Sequence, residues 1–106
     1  MYRPLPESLT IKQSGINGLG LFAREGIAQG TNLGMSHVGI GSGIVRTPMG
    51  GFINHANEAN TVKVELKITE KDDPLLRVAT QKWNLVTLRD IKEGEELTVH
   101  YTFYDV

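Results

Sequence analysis

The sequence predicts a mainly β domain, and three observations carry that prediction. Thr61-Val62-Lys63-Val64-Glu65-Leu66-Lys67-Ile68-Thr69 sets an apolar side chain at every second position, the period of a strand with one buried and one wet face. Short runs of this kind recur along the chain, separated by turns at roughly regular spacing. No window of 11 or more residues holds a sustained helical period.

The elements follow in order. Residues 1–8 carry two prolines and read as an extended lead-in. Leu9-Thr10-Ile11-Lys12-Gln13 alternates as a half-buried strand. Ser14-Gly15-Ile16-Asn17-Gly18 is turn material, and Leu19-Gly20-Leu21-Phe22-Ala23 reads as a short buried strand. A second turn spans Ile27 to Thr31, and a strand is expected from Leu33 to Val38. Gly39 to Gly51 reads as an ordered loop, with room for a short strand. Glycine and proline cost about 1 and 3 kcal/mol per residue in a helix interior, so no helix is expected there. Glu70 to Pro74 is a charged turn, and Leu76 to Thr80 and Leu85 to Leu88 return as strands with β-branched residues. Asp90 to Gly94 is a further turn. Glu96 to Tyr101 is the last strand, followed by an aromatic tail at 102–106.

Composition narrows the function classes. At 106 residues the chain fits one domain with one modest core. A net charge of −1 supplies no global pull toward nucleic acid or an anionic membrane. No apolar run approaches the roughly 18 residues of a membrane span, so a soluble, intracellular protein is expected. With no cysteine there is no disulfide, no thiol nucleophile and no thiolate zinc site. The three histidines, at 37, 55 and 100, lack the tight spacing of a common metal motif.

Three segments carry unusual local chemistry: Gly15 to Ala23, Gly51 to Asn60, and Gly94 to Tyr101. The first places Gly-Leu-Gly before a strand. A dinucleotide loop instead follows a strand and opens a helix, so that reading fails. The second packs Phe52, Ile53, Asn54, His55, Asn57 and Asn60 into ten positions, where asparagines compete for backbone hydrogen bonds and favour turns. The third ends a strand on Tyr101.

In this order and spacing the segments resemble the SET domain family of protein-lysine methyltransferases, which use S-adenosylmethionine (AdoMet). Residues 11–23 look like the family's first motif, and Glu25 to Thr31 like its continuation. Phe52 to Asn60 looks like Phe-Ile-Asn-His-Ser-Cys-x-Pro-Asn, and Leu88 to Tyr101 like the closing motif, with His100 in place of Asp. The resemblance covers about residues 9–104. Gly51 stands where the family has Arg, and Ala56-Asn57-Glu58-Ala59 where it has Ser-Cys-x-Pro. The insert between motifs is reduced to about residues 34–50. The chain is similar in size to the small stand-alone SET proteins of viruses.

The resemblance implies a β-clip fold of short curved sheets with a C-terminal pseudoknot, spanning 1–106 as a single domain. It implies AdoMet as cofactor, with the Gly18-Leu19-Gly20 backbone on the methionine part. The Asn54 side chain would hold the cofactor's amino group, and the His55 backbone the adenine. Tyr101 matches the family's active-site tyrosine. Phe52 would pack beneath the knot, and Phe52, Phe103 and Tyr104 are candidates for the substrate channel. Arg24 and Arg46 are candidates for the cofactor carboxylate. The partner implied is a protein bearing a target lysine, and a homodimer would complete the thin groove through exposed Ile and Met of the glycine-rich loop. The competing reading is a SET-fold binding module without catalysis.

The chemistry asks for these residue types. An acceptor lysine must lose its proton to attack a sulfonium methyl, at a cost of about 4 kcal/mol near pH 7. An apolar, aromatic channel lowers that cost by disfavouring the ammonium form.

Overall fold

The computed structural model describes residues 5–40, 43–67 and 81–100. Eight strands and one short helix are present among them: β1 (Leu9–Gln13), β2 (Leu19–Ala23), β3 (Asn32–Ile40), β4 (Gly43–Arg46), α1 (Pro48–Phe52), β5 (Asn54–His55), β6 (Thr61–Lys67), β7 (Gln81–Thr87) and β8 (Glu96–Val99). The mainly β expectation holds. The strand order is β1-β2-β8-β6-β7-β3-β4, with β5 alongside β8, and the sheet does not close. The strand expected at Leu76 to Thr80 and the end of the run at Ile68 and Thr69 lie outside the described residues.

Pairing is antiparallel throughout except at the centre. There β5 and β6 both run parallel to β8, with Asn54 opposite Thr98, His55 opposite Val99, and Thr61 also opposite Val99. β8 is accordingly buried along most of its length, with Leu97 and Val99 in the core beside Leu9, Leu21, Ile53 and Leu85. Parallel strands buried on both sides need apolar or internally satisfied residues. Thr98 qualifies because Asn60 supplies its partners: the Thr98 amide donates to Asn60 Oδ1 (2.8 Å), and Asn60 Nδ2 donates to the Glu96 carbonyl (2.9 Å). Thr61 Oγ1 adds a bond to the Thr98 carbonyl at 2.6 Å. Asn60 therefore does the work of a strand backbone where β6 leaves β8.

Two turns of similar sequence are bonded to each other outside the named strands. Ile27-Ala28-Gln29-Gly30 and Ile91-Lys92-Glu93-Gly94 meet through reciprocal backbone bonds between Ile27 and Ile91, of 2.9 and 2.8 Å. Both isoleucines are buried.

Three expectations need correction. The stretch Gly39 to Gly51, read as a loop with at most a short strand, ends in a helical turn at Pro48–Phe52. Proline is tolerated there because it opens the helix, where its missing N–H has no partner to lose. Thr47 caps the turn, accepting from the Gly50 amide. Gly50 is required for packing, since a Cβ there would collide with the Ser36 carbonyl oxygen and stand 2.9 Å from its carbon. Met49, expected to be exposed with the isoleucines of this loop, is instead in the core.

The third correction concerns β6. Its apolar residues were expected to face inward, yet Val62, Val64 and Leu66 are each 39% exposed while Thr61 is buried. Alternation shows that a strand has two unlike faces, but not which one the tertiary structure selects. Here the Asn60 and Thr61 bonds to β8 select the face that carries Thr61 and Lys63. The Lys63 ammonium nitrogen is buried without a hydrogen-bond partner among the described residues. Burial first, and the neighbouring Arg46 second, lower its pKa from the usual lysine value.

Candidate functional site

The parallel pairing of β5 with β8 brings the second and third sequence segments together, and the turn between β1 and β2 joins them. Ser14 organises that turn. Its Oγ accepts from the amides of Ile16 (2.9 Å) and Asn17 (3.3 Å), a hydroxyl-closed turn. The Ser14 amide donates to the Gly18 carbonyl at 2.7 Å. Gly18 has φ of +46°, in the left-handed region that glycine enters most readily.

Glu96, at the start of β8, points its carboxylate at this turn. Ser14 Oγ lies 2.8 Å from Oε1 and 2.9 Å from Oε2, so its hydroxyl donates to the carboxylate. The carboxylate lies over Gly20. A Cβ on Gly20 would collide with Oε2 and come within 3.0 Å of Glu96 Cδ and of Ser14 Cβ. The second glycine of Gly-Leu-Gly thus makes room for an acidic side chain. Leu19, between the glycines, is 52% exposed.

Asn54 completes the cluster from β5. Its Nδ2 faces Glu96 Oε2 at 2.9 Å, Ser14 Oγ at 3.1 Å, the Asn17 carbonyl at 3.1 Å and the Leu19 carbonyl at 3.3 Å. Acceptors on every side fix the amide's orientation. His55 follows with its Nε2 3.3 Å from Asn57 Oδ1 and its ring 4.9 Å from that of His100, tilted by 50°. It is half-buried rather than enclosed in the core.

The structure therefore brings together Gly18, Leu19, Gly20 and Asn54, with His55 next along β5. Phe52 ends α1 and is 36% exposed, and the C-terminal segment it was expected to pack beneath lies outside the described residues. Tyr101, Phe103 and Tyr104 lie outside the described residues. Arg24 lines a separate open cavity of about 350 Å³ with Thr10, Lys12 and Glu93. Arg46 stands opposite His37 in the β3–β4 ladder. Sequence reasoning missed Ser14 and Glu96. Ser14 looked like one more turn residue and Glu96 like half of a charged pair. The available signal was the alternation in Glu96-Leu97-Thr98-Val99, which sets Glu96 on the face away from Leu97.

An open β sheet with a parallel centre, carrying an Asn-His strand beside a Gly-Leu-Gly turn, defines the class of domain. The SET domain family model matches residues 35–102, and the chain belongs to that family. Solved structures agree on the fold. A candidate histone methyltransferase of Plasmodium falciparum is 17% identical, with a TM-score of 0.72 over 94% of this chain and 97% of that one. ctPRC2, in an autoinhibited conformation bound to S-adenosylmethionine, is 18% identical, with a TM-score of 0.68 over 90% of this chain and 15% of that one. No curated protein matches the chain.

The residues present suit AdoMet. Carbonyls and a carboxylate around Asn54 are the acceptors an α-ammonium requires. A Cβ at Gly18 would meet nothing within 4 Å, so a ligand can approach the backbone closely there.

Proposed function

We propose that the protein is a protein-lysine methyltransferase, moving the methyl group of AdoMet to the ε-amine of a lysine in a protein substrate. The observation that supports this most is the meeting of Asn54, Glu96 and the Gly18-Leu19-Gly20 turn on a SET fold. These residues come from three distant parts of the chain, and an acidic group at an exposed glycine turn gives a cationic amino acid somewhere to dock.

When bound, AdoMet supplies an activated methyl group on a positive sulfur. The chain's own residues bind and orient. The Gly18 to Gly20 backbone and Asn54 hold the methionine part, and the His55 backbone holds the adenine. By its match to the family motif, Tyr101 orients the acceptor amine at the methyl-transfer channel, with Phe52, Phe103 and Tyr104 as further channel residues. Aromatic walls keep water from the acceptor lysine and favour its neutral form. In-line alignment of amine and methyl supplies most of the remaining rate. A homodimer completing the substrate groove has Ile44 and Val45 of β4 as its support, both well exposed.

One observation favours the alternative, a SET-fold module that binds a protein partner without catalysis. The Asn54 amide nitrogen is already engaged within the protein, with four acceptors around its two hydrogens. Radiolabelled AdoMet incubated with the protein and a lysine-containing protein library separates the two readings. Transfer of label to lysine supports the enzyme, and absence of both transfer and AdoMet binding supports the module.

A further inference from the structure

Lys63 is a buried reactive group that the site described above leaves unused. Its Nζ is buried and has no hydrogen-bond partner among the described residues. Burial first, and Arg46 second, hold its pKa below the ordinary lysine value, so the neutral amine is less costly here than in water. A neutral amine has a free lone pair and is a nucleophile. The position of Lys63 gives that reactivity a direction. It follows Thr61 by two residues, so its side chain leaves β6 on the face from which Thr61 Oγ1 bonds to β8. Leu85, opposite it on β7, is fully buried. β6 and β8 run parallel from the pair Thr61–Val99. Parallel strands advance together, so residues two beyond each member of that pair come to the same level. Those residues are Lys63 and Tyr101, the latter matched to the family's active-site tyrosine. Tyr101 itself lies outside the described residues, and this level is read from the Thr61–Val99 pair.

We propose that Lys63 is a methylation site of the protein itself, taking a methyl group from AdoMet bound to the same chain. The proposal rests on the reading that this chain binds AdoMet and transfers its methyl group, and it names one substrate amine. Lys63 first gives up one proton to solvent. Its Nζ lone pair then forms a bond to the methyl carbon as the bond between that carbon and sulfur breaks. The electron pair of the broken bond stays on sulfur, which leaves as the neutral thioether of S-adenosylhomocysteine. The N-methyl-lysine carries the positive charge that sulfur loses. An amine held within the sheet is oriented in advance, where a lysine from another protein must first be captured and aligned. Burial also keeps Nζ from the active site of a second copy, so transfer occurs within one chain.

The test incubates the purified protein with AdoMet carrying a deuterated methyl group and locates the label by peptide mass spectrometry. The label is expected on Lys63, at a rate per chain that does not change when the protein is diluted. Lys63→Arg is expected to bring it down to background. Label on a different residue, label on Lys63 that slows in proportion to dilution, or label retained by Lys63→Arg overturns the proposal. Should Lys63→Arg fail to fold, the peptide map and dilution series of wild type decide. Protein that leaves its expression host already methylated at Lys63 supports the proposal if Tyr101→Phe from the same host carries no methyl there, and overturns it if both carry one. Titration of AdoMet separates this inference from the reading it rests on. Wild type that binds AdoMet and leaves Lys63 unmethylated removes only the role of Lys63. Wild type that binds no AdoMet overturns the AdoMet reading, and this inference with it.

Discussion

Asn54 Nδ2 donates to Glu96 Oε2 across 2.9 Å, although 42 residues separate the two in sequence. The bond closes a three-way junction of the β1–β2 turn, β5 and β8. Each segment is unremarkable alone, and the chemistry arises only where the parallel β5–β8 pairing superposes them.

Adjacent glycines in α1 should respond oppositely to alanine. Gly50→Ala forces a Cβ into the Ser36 backbone carbonyl, which has no rotamer to yield, so a loss of about 3 kcal/mol is expected. Gly51→Ala meets nothing within 4 Å and gains helix propensity, so it should be neutral or stabilising by about 0.5–1 kcal/mol. Urea unfolding of both variants measures the contrast.

Asn60→Ala should cost about 2–4 kcal/mol. It leaves the buried Thr98 amide and the Glu96 carbonyl without their side-chain partners. Thermal unfolding reads the loss, and hydrogen exchange at the Thr98 amide should accelerate in the variant.

His37 makes stability pH-dependent in a defined window. Burial first, then the charges of Lys63 and Arg46, push its pKa from 6.5 to about 4. The folded state thus favours neutral His37, and below pH 6.5 the unfolded chain takes up the proton more readily. Stability is complete above that value and falls as pH drops toward 4, by at most about 3 kcal/mol. Glu95, pushed down to about 2 chiefly by its hydrogen bond to Arg89, extends the acid loss below its usual 4.5. His37→Gln should flatten the upper part of the stability profile, between pH 6.5 and 4, and leave the lower part in place.

Tyr101→Phe should abolish or severely reduce methyl transfer while leaving AdoMet affinity within about twofold, because the hydroxyl is assigned to orienting the acceptor amine rather than to holding the cofactor. Single-turnover transfer assays paired with titration separate the two effects. Normal turnover would remove Tyr101 from the mechanism.

Much of this was legible in the sequence because turns and strands announce themselves locally. Ser14 to Gly18, the strands flanking it and the alternation from Thr61 all appear where residue type placed them. The helical turn at Pro48 was hidden because five residues are too few to show a period. The inward face of β6 was misread because side-chain bonds from Asn60 and Thr61, not apolar count, decide it. Glu96 escaped notice for a related reason. Its significance lies in what Gly20, Ser14 and Asn54 place around it, and none of those contacts is local in sequence.

The most direct measurement of the central claim is isothermal titration of AdoMet into wild type and Asn54→Ala. The account predicts micromolar binding to wild type and a loss of about tenfold or more in the variant, whose contact with the Glu96 cluster is gone. Wild type that takes up no AdoMet at millimolar ligand would contradict it.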